Sequence, residues 1–136
     1  MRSPRKIGTP KSSGGPPSAT KPGRSVYCPD AGDFIWIELD PTKGREQRGR
    51  RPAIVLSPRA YNERAGLCVT CPITSRIKGY PFEVAIPNGL KVSGVVLADQ
   101  ARSLSWSDRN ANLIGRAGSD LLNDVREKIA ALIEID

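Results

Sequence analysis

Apolar residues come in short bursts along this chain, and their spacing changes from two to about four near the C-terminus. The stretch DFIWIEL (33–39) alternates Phe34, Trp36 and Glu38 with Ile35, Ile37 and Leu39. A period of two belongs to a strand, here with one face in the core and the other partly covered. DPTKGREQRGRR then shows no apolar period, and its Asp, Pro and Gly mark a long connecting loop. PAIVLS (52–57) reads as a short buried strand. Pro58 with RAYNERAG suits a single helical turn or a wide loop, since proline fits a helix start. LCVTCPIT (67–74), PFEVAI (81–86), SGVVLADQ (93–100) and a weaker pair around SLSW and NLIGRA supply further strands, separated by turn signals such as Pro87-Asn88-Gly89. The closing segment differs: after Gly118, Ser119 is placed to cap a helix whose Leu121, Leu122, Val125, Ile129, Leu132 and Ile133 fall at helical spacing. Asp124, Glu127 and Lys128 fall on its opposite face. No internal repeat is visible. Short strands at this density predict a mainly β fold, a compact barrel or sandwich with a C-terminal helix.

Composition divides the chain in two. The 136 residues amount to one domain, but the first 25 are rich in Pro, Gly, Ser and cations and hold one large aliphatic residue, Ile7. Such a stretch buries too little apolar surface to offset its ordering entropy, so residues 1–25 read as a disordered basic tail, a solvated extension before a nucleic-acid arm. The tail contains six cations and no acid, whereas the remainder has 15 cations and 14 acids; the net charge of +7 is therefore largely the tail's. A positive excess points to a polyanionic partner. The three cysteines are an odd number, there is no apolar signal core, and no apolar run nears membrane-spanning length. A cytoplasmic, reduced protein without membrane contact is expected.

In the folded part the positive charge gathers in KGREQRGRRP (43–52), with five cations and one acid. A solvated surface segment is one reading. A closing lid is the other: Gly44 and Gly49 loosen the backbone, the arginines exceed the acid available to them, and Arg51 precedes Pro52, which biases it to an extended conformation at the mouth of the next strand. A guanidinium aimed from a rigid strand prefers planar oxyanions, phosphate above all.

Any chemistry on phosphate must proceed without histidine, which the chain lacks. RNA supplies its own nucleophile in the 2′-hydroxyl, so a protein need only position the strand, stabilise charge on phosphoryl oxygens and assist proton transfer. Thr74 and Ser75 are candidate hydroxyl donors, although strand-end residues of this type also cap backbone groups. Cys68 and Cys71 form a C-x-x-C, but a structural zinc site wants four ligands and only Cys28 remains. On a strand, residues three apart also point to opposite faces. The cysteines therefore read as packing residues, with no metal and no cofactor implied. Trp36 and Trp106 suit packing more than base stacking.

The run VYCPDAGDFIWIELDPTKGREQRGRRPAIVLSPRAYNERAG, followed by CPITSRIKGYPFEV and SGVVLADQARSLSW, closely resembles the MazF/PemK family of bacterial toxin endoribonucleases, in particular its MazF and ChpB-like branch. The motifs occur in family order from about Val26 to the C-terminus, so residues 26–136 are the expected toxin domain. The resemblance implies a small SH3-like barrel with a C-terminal helix, acting as a homodimer. It further implies metal-independent, sequence-selective cleavage of single-stranded RNA to a 2′,3′-cyclic phosphate and a 5′-hydroxyl, held in check by a cognate antitoxin, with DNA bound only as the toxin-antitoxin complex. By motif position the family's catalytic arginine falls on Arg51 and its threonine on Thr74. Glu46 matches a family glutamate, either a base or a brace for the loop. Lys43, Arg48, Arg50, Ser75 and Lys78 are the expected substrate contacts. Some PemK relatives use an aspartate at the position of Asp99 together with an arginine two residues earlier and a histidine. Here Leu97 holds the earlier place and histidine is absent, so Asp99 and Gln100 are expected to contact RNA or support the fold instead.

Two other readings share this sequence. A CcdB-like gyrase poison has the same fold, but that group relies on a C-terminal Trp-Gly-Ile, and this chain ends ALIEID. A non-catalytic nucleic-acid-binding module would use the same cations and leave the strand intact.

Overall fold

The computed structural model describes residues 27–38 and 49–134. The expected tail, and Lys43, Glu46 and Arg48 of the cationic loop, lie outside the described residues. Seven strands follow in order: β1 (Asp33–Glu38), β2 (Arg50–Val55), β3 (Leu67–Thr74), β4 (Glu83–Ala85), β5 (Val95–Leu97), β6 (Arg102–Ser105) and β7 (Asn112–Arg116). Helix α1 (Arg59–Ala65) joins β2 to β3, and α2 (Ser119–Leu132) closes the chain. The mainly β class with a C-terminal helix is the expected one. The sheet is antiparallel with its path running β4-β5-β3-β2-β1-β7, while β6 also pairs with β3. It is an open sheet, ending in β4 and β7. No helix among the described residues is long and apolar enough to cross a membrane.

Strand β3 has the extent its alternation predicts and organises the rest. Along one edge it pairs with β2; along the other, Leu67–Thr70 pair with β6 and Ile73 and Thr74 pair with β5. Its odd and even residues serve different cores. Cys71 and Ile73 join Phe34, Ile54, Val96 and the helix residues Leu121, Leu122 and Val125. Cys68 packs with Ile35, Ile37, Ala53, Val55 and Leu104 on the other face. The central strands are thus covered on both sides. This refines the expectation for β1, where Phe34, on the face expected to be partly covered, is fully buried, while Trp36 and Glu38 are half-buried. The C-x-x-C thiols sit in separate clusters, so they are packing groups, as period-two spacing demands.

Two local expectations are corrected. The segment after Pro58 is a seven-residue helix, about two turns, closed by Gly66 in the left-handed conformation at φ 72°. Ser119 does not cap α2. Gly118, at φ 89°, occupies the cap position and no side chain caps the helix; Ser119 is its first helical residue. Only the first half of the apolar stripe is buried. Leu121, Leu122 and Val125 are in the core, but Leu132 and Ile133 are exposed.

Buried polar groups tie the start of the domain to this frame. The fully buried Asp33 carboxylate accepts from the Tyr27 hydroxyl, from the Asp30 amide at 3.0 Å and from Arg116 at 3.2 Å. Burial, then the hydrogen bond to Asp33, pushes the Tyr27 hydroxyl well above its usual range. Asn62 of α1, also fully buried, accepts from Ser57 Oγ at 2.6 Å and donates to the Pro29 and Ser57 carbonyls. Trp106 donates its indole N–H to the Asn62 carbonyl at 3.0 Å, which makes it a structural residue.

Candidate active site

Arg51 stands at the opening of β2, opposite Ile37 of β1. The β2–β3 ladder pairs Ala53 with Pro72, Ile54 with Cys71 and Val55 with Thr70. Carried two residues beyond its last pair, this register sets Arg51 across from Thr74. Alternation also puts both on one face: Arg51 follows Ala53 and Val55, Thr74 follows Cys68, and these three belong to the same core cluster. The two residues singled out from the sequence, 23 positions apart, thus lie toward the same end and on the same face of the central strand pair.

Both are available to a ligand. Arg51 is exposed, and its guanidinium has no partner among the described residues. Its neighbour Arg50 behaves differently: it projects to the other face, lies 4.7 Å from the centroid of the Trp36 ring and is paired in register with Glu38. Arg50 is therefore held by a cation–π contact on the face of the strand opposite to that of Arg51. Thr74 is half-buried, and its Oγ1 accepts from the Arg76 amide at 3.1 Å. That bond occupies a lone pair and leaves the hydroxyl proton free to donate.

The position of Thr74 depends on a residue the sequence reading passed over. Gly94, at φ 116°, packs so tightly against β3 that a Cβ there would lie 2.2 Å from the Thr74 carbonyl oxygen. The signal in the sequence was only a Gly before Val95-Val96, uninformative until β5 is known to lie beside β3.

The chain leaves β3 at Thr74 and re-enters the sheet at Glu83. Both β3 and β4 are antiparallel to β5, which lies between them, so β4 runs parallel to β3 and residues 75–82 cross over β5. The register shows on which face. Thr74 pairs with Val95, Val95 with Ala85, and Leu97 with Glu83, so the Glu83 side chain shares the face of Thr74 and Arg51. Its carboxylate accepts from the Lys78 amide at 3.0 Å and the Gly79 amide at 2.9 Å. The crossover therefore lies on the face of the Arg51–Thr74 pair. It carries Ser75, Arg76 and Lys78, all exposed. Glu83 is the second residue the sequence reading missed, its role being visible only once the crossover is placed.

Asp99 and Gln100 are exposed on a 3-10 turn, Ala98–Gln100, between β5 and β6. Their place is level with the middle of β3, because β5 runs away from Thr74 and β6 begins opposite Thr70. They are not brought to the Arg51–Thr74 end.

The chain is 49% identical over 109 residues to the endoribonuclease toxin MazF of Escherichia coli K12, spanning 80% of this chain and 97% of that one. It is 33% identical over 111 residues to the E. coli endoribonuclease toxin ChpB, spanning 77% and 94%. The fold superposes on the MazE–MazF crystal structure from Deinococcus radiodurans with a TM-score of 0.73 and 50% identity, covering 82% of this chain and all of that one. The family model for PemK-like, MazF-like toxins matches residues 30–133. The chain belongs to the PemK-like, MazF-like toxin family of type II toxin-antitoxin systems.

Proposed function

We propose that the protein is a metal-independent endoribonuclease toxin that cleaves single-stranded RNA to a 2′,3′-cyclic phosphate and a 5′-hydroxyl. The observation that supports this most strongly is the facing pair Arg51 and Thr74, one an unpartnered cation among the described residues, the other a hydroxyl with its proton free. A phosphodiester seated between them needs no external nucleophile. The 2′-oxygen attacks phosphorus, forming the P–O2′ bond as the P–O5′ bond breaks. Charge accumulates on the phosphoryl oxygens, where Arg51 stabilises it and the Thr74 hydroxyl donates a hydrogen bond. The proton leaves the 2′-oxygen for a carboxylate, assigned to Glu46, and Arg51 delivers one to the departing 5′-oxygen.

Ser75 and Lys78, on the crossover, and Lys43, Arg48 and Arg50 are assigned to holding the strand, with Asp99 and Gln100 at its far end. The protein acts in the cytoplasm as a homodimer, binding DNA only with its antitoxin. The MazE–MazF structures support a cognate antitoxin as the regulatory partner. An acidic antitoxin segment would compete with RNA for the same cations.

The test is a long defined transcript incubated with protein in EDTA, the new ends mapped by primer extension. Discrete cuts with 5′-hydroxyl ends are expected, with the rate reduced at least about a hundredfold in Arg51→Ala. Intact RNA from folded protein, or full activity in Arg51→Ala, overturns the assignment.

A further inference from the structure

The crossover carries more than cations. Ile77 and Tyr80 are 64% and 50% exposed, among the most exposed large apolar side chains of the described residues. They sit in a turn that is not loose. The Glu83 carboxylate holds two of its amides, the Glu83 amide donates to the Tyr80 carbonyl at 3.1 Å, and Gly79 supplies the left-handed bend at φ 80°. The Tyr80 ring lies 5.1 Å from the Phe82 ring, tilted by 34°, so it has an aromatic support behind it while half of its own surface faces solvent. The same crossover carries the exposed cations Arg76 and Lys78, and the carboxylate of Glu83, at its end, is occupied by backbone donors.

A rigid exposed ring on a cation-bearing crossover, on the same face as the Arg51–Thr74 pair, has the chemistry of a single-strand platform. Nucleobases offer a flat π-face to stack on, and the linking phosphates match the crossover's cations. We infer that Tyr80, backed by Phe82 and held by the Glu83 clamp, stacks against an unpaired base of the RNA a few nucleotides from the scissile phosphate, and so sets which phosphate reaches Arg51 and Thr74. The inference rests on the proposed nuclease reading for its place in the reaction, but the stacking itself requires only that the protein bind single-stranded RNA. Tyr80 is a positioning residue: it contacts a base remote from the reacting atoms.

The experiment compares the parent with Tyr80→Ala, Tyr80→Phe and Tyr80→Trp, each checked for an unchanged circular dichroism spectrum and melting temperature. Steady-state cleavage of a short RNA cut at a single mapped site is measured alongside equilibrium binding, in the Arg51→Ala background, of the same RNA with 2-aminopurine at successive positions. Tyr80→Ala is expected to raise KM and the dissociation constant about tenfold or more while kcat stays near the parent value. Tyr80→Phe and Tyr80→Trp should restore both, because a ring and not a hydroxyl is needed. One 2-aminopurine position should be quenched on binding and lose that quenching in Tyr80→Ala. Unchanged KM and affinity in Tyr80→Ala, failure of Tyr80→Phe to rescue, or a loss confined to kcat would overturn the platform. If the parent cuts no RNA, the nuclease reading fails alone: the quenching pattern still decides whether Tyr80 stacks on a base, and absence of binding or of any Tyr80-dependent quenching ends the inference.

Discussion

Gly94 shows how much a single position can decide. At φ 116° a side chain is strained whatever space surrounds it, and here the Thr74 carbonyl already fills the space. Gly94→Ala is expected to lower stability by about 2 kcal/mol or more, read as a drop in the urea midpoint, with activity falling further than stability because Thr74 shifts. At Thr74 the hydroxyl and the shape can be separated. Thr74→Val keeps the branched volume and removes the donor, and should cost about tenfold to a hundredfold in kcat with the fold intact, whereas Thr74→Ser should retain most of the rate. An inactive Thr74→Ser with native stability would mean that the methyl group, not the hydroxyl, is what the site needs.

Among the elements, the crossover and the closing helix behave in opposite ways. The crossover has little apolar packing of its own and relies on the Glu83 carboxylate, so Glu83→Ala should release the Lys78 and Gly79 amides specifically. Hydrogen exchange is expected to accelerate at those two amides while β3 stays protected; equal protection in the variant would show that the turn is held by something other than the clamp. Helix α2 depends on burial instead. Val125 has no exposed surface, and Val125→Ala should cost about 2 kcal/mol, whereas the exposed Leu132 should tolerate Leu132→Ser in the isolated chain. The periodicity of α2 was legible from the sequence, but not how much of its stripe finds a partner, since that depends on where the sheet stops.

For the molecule as a whole, charge and ionisation set the response to conditions. Burial pushes the Cys68 and Cys71 thiols, together with half-buried Cys28, from about 9 up to about 12. A thiol with a raised folded value contributes stability that is fully present below about 9 and is lost as pH rises toward 12, because the unfolded chain ionises first. The urea midpoint should therefore fall above about pH 9, more gently in Cys68→Ala, Cys71→Ala and their combination. Thiol reagents should find Cys68 and Cys71 inert in the native state at pH 8. The six tail cations act at longer range. Deleting residues 1–25 is expected to weaken RNA binding chiefly at low salt and to make the dependence of log K on log salt shallower, by about 0.7 for each phosphate that the tail neutralises. A drop in affinity independent of salt would assign the tail a specific role.

What the sequence determined by itself was whatever a side chain and its near neighbours can encode. The two-residue alternation of LCVTCPIT located β3 to the residue and sent Cys68 and Cys71 to opposite faces. The four-residue spacing located α2, and Arg51 before Pro52 indicated an extended cation at a strand mouth, where the opening of β2 places it. What only the tertiary structure decided was which of these signals meet. Arg51 and Thr74 share a face because the β2–β3 register brings them into line, and Arg50 is turned away by the same alternation. The cation-rich crossover lies beside them because β5 inserts between β3 and β4. Gly94 is obligatory because β5 then presses on β3. The physical reason is range: propensity and periodicity act over a few residues, whereas register, crossover and close approach are settled by long-range hydrogen bonding and packing between segments that carry no local mark of their partner.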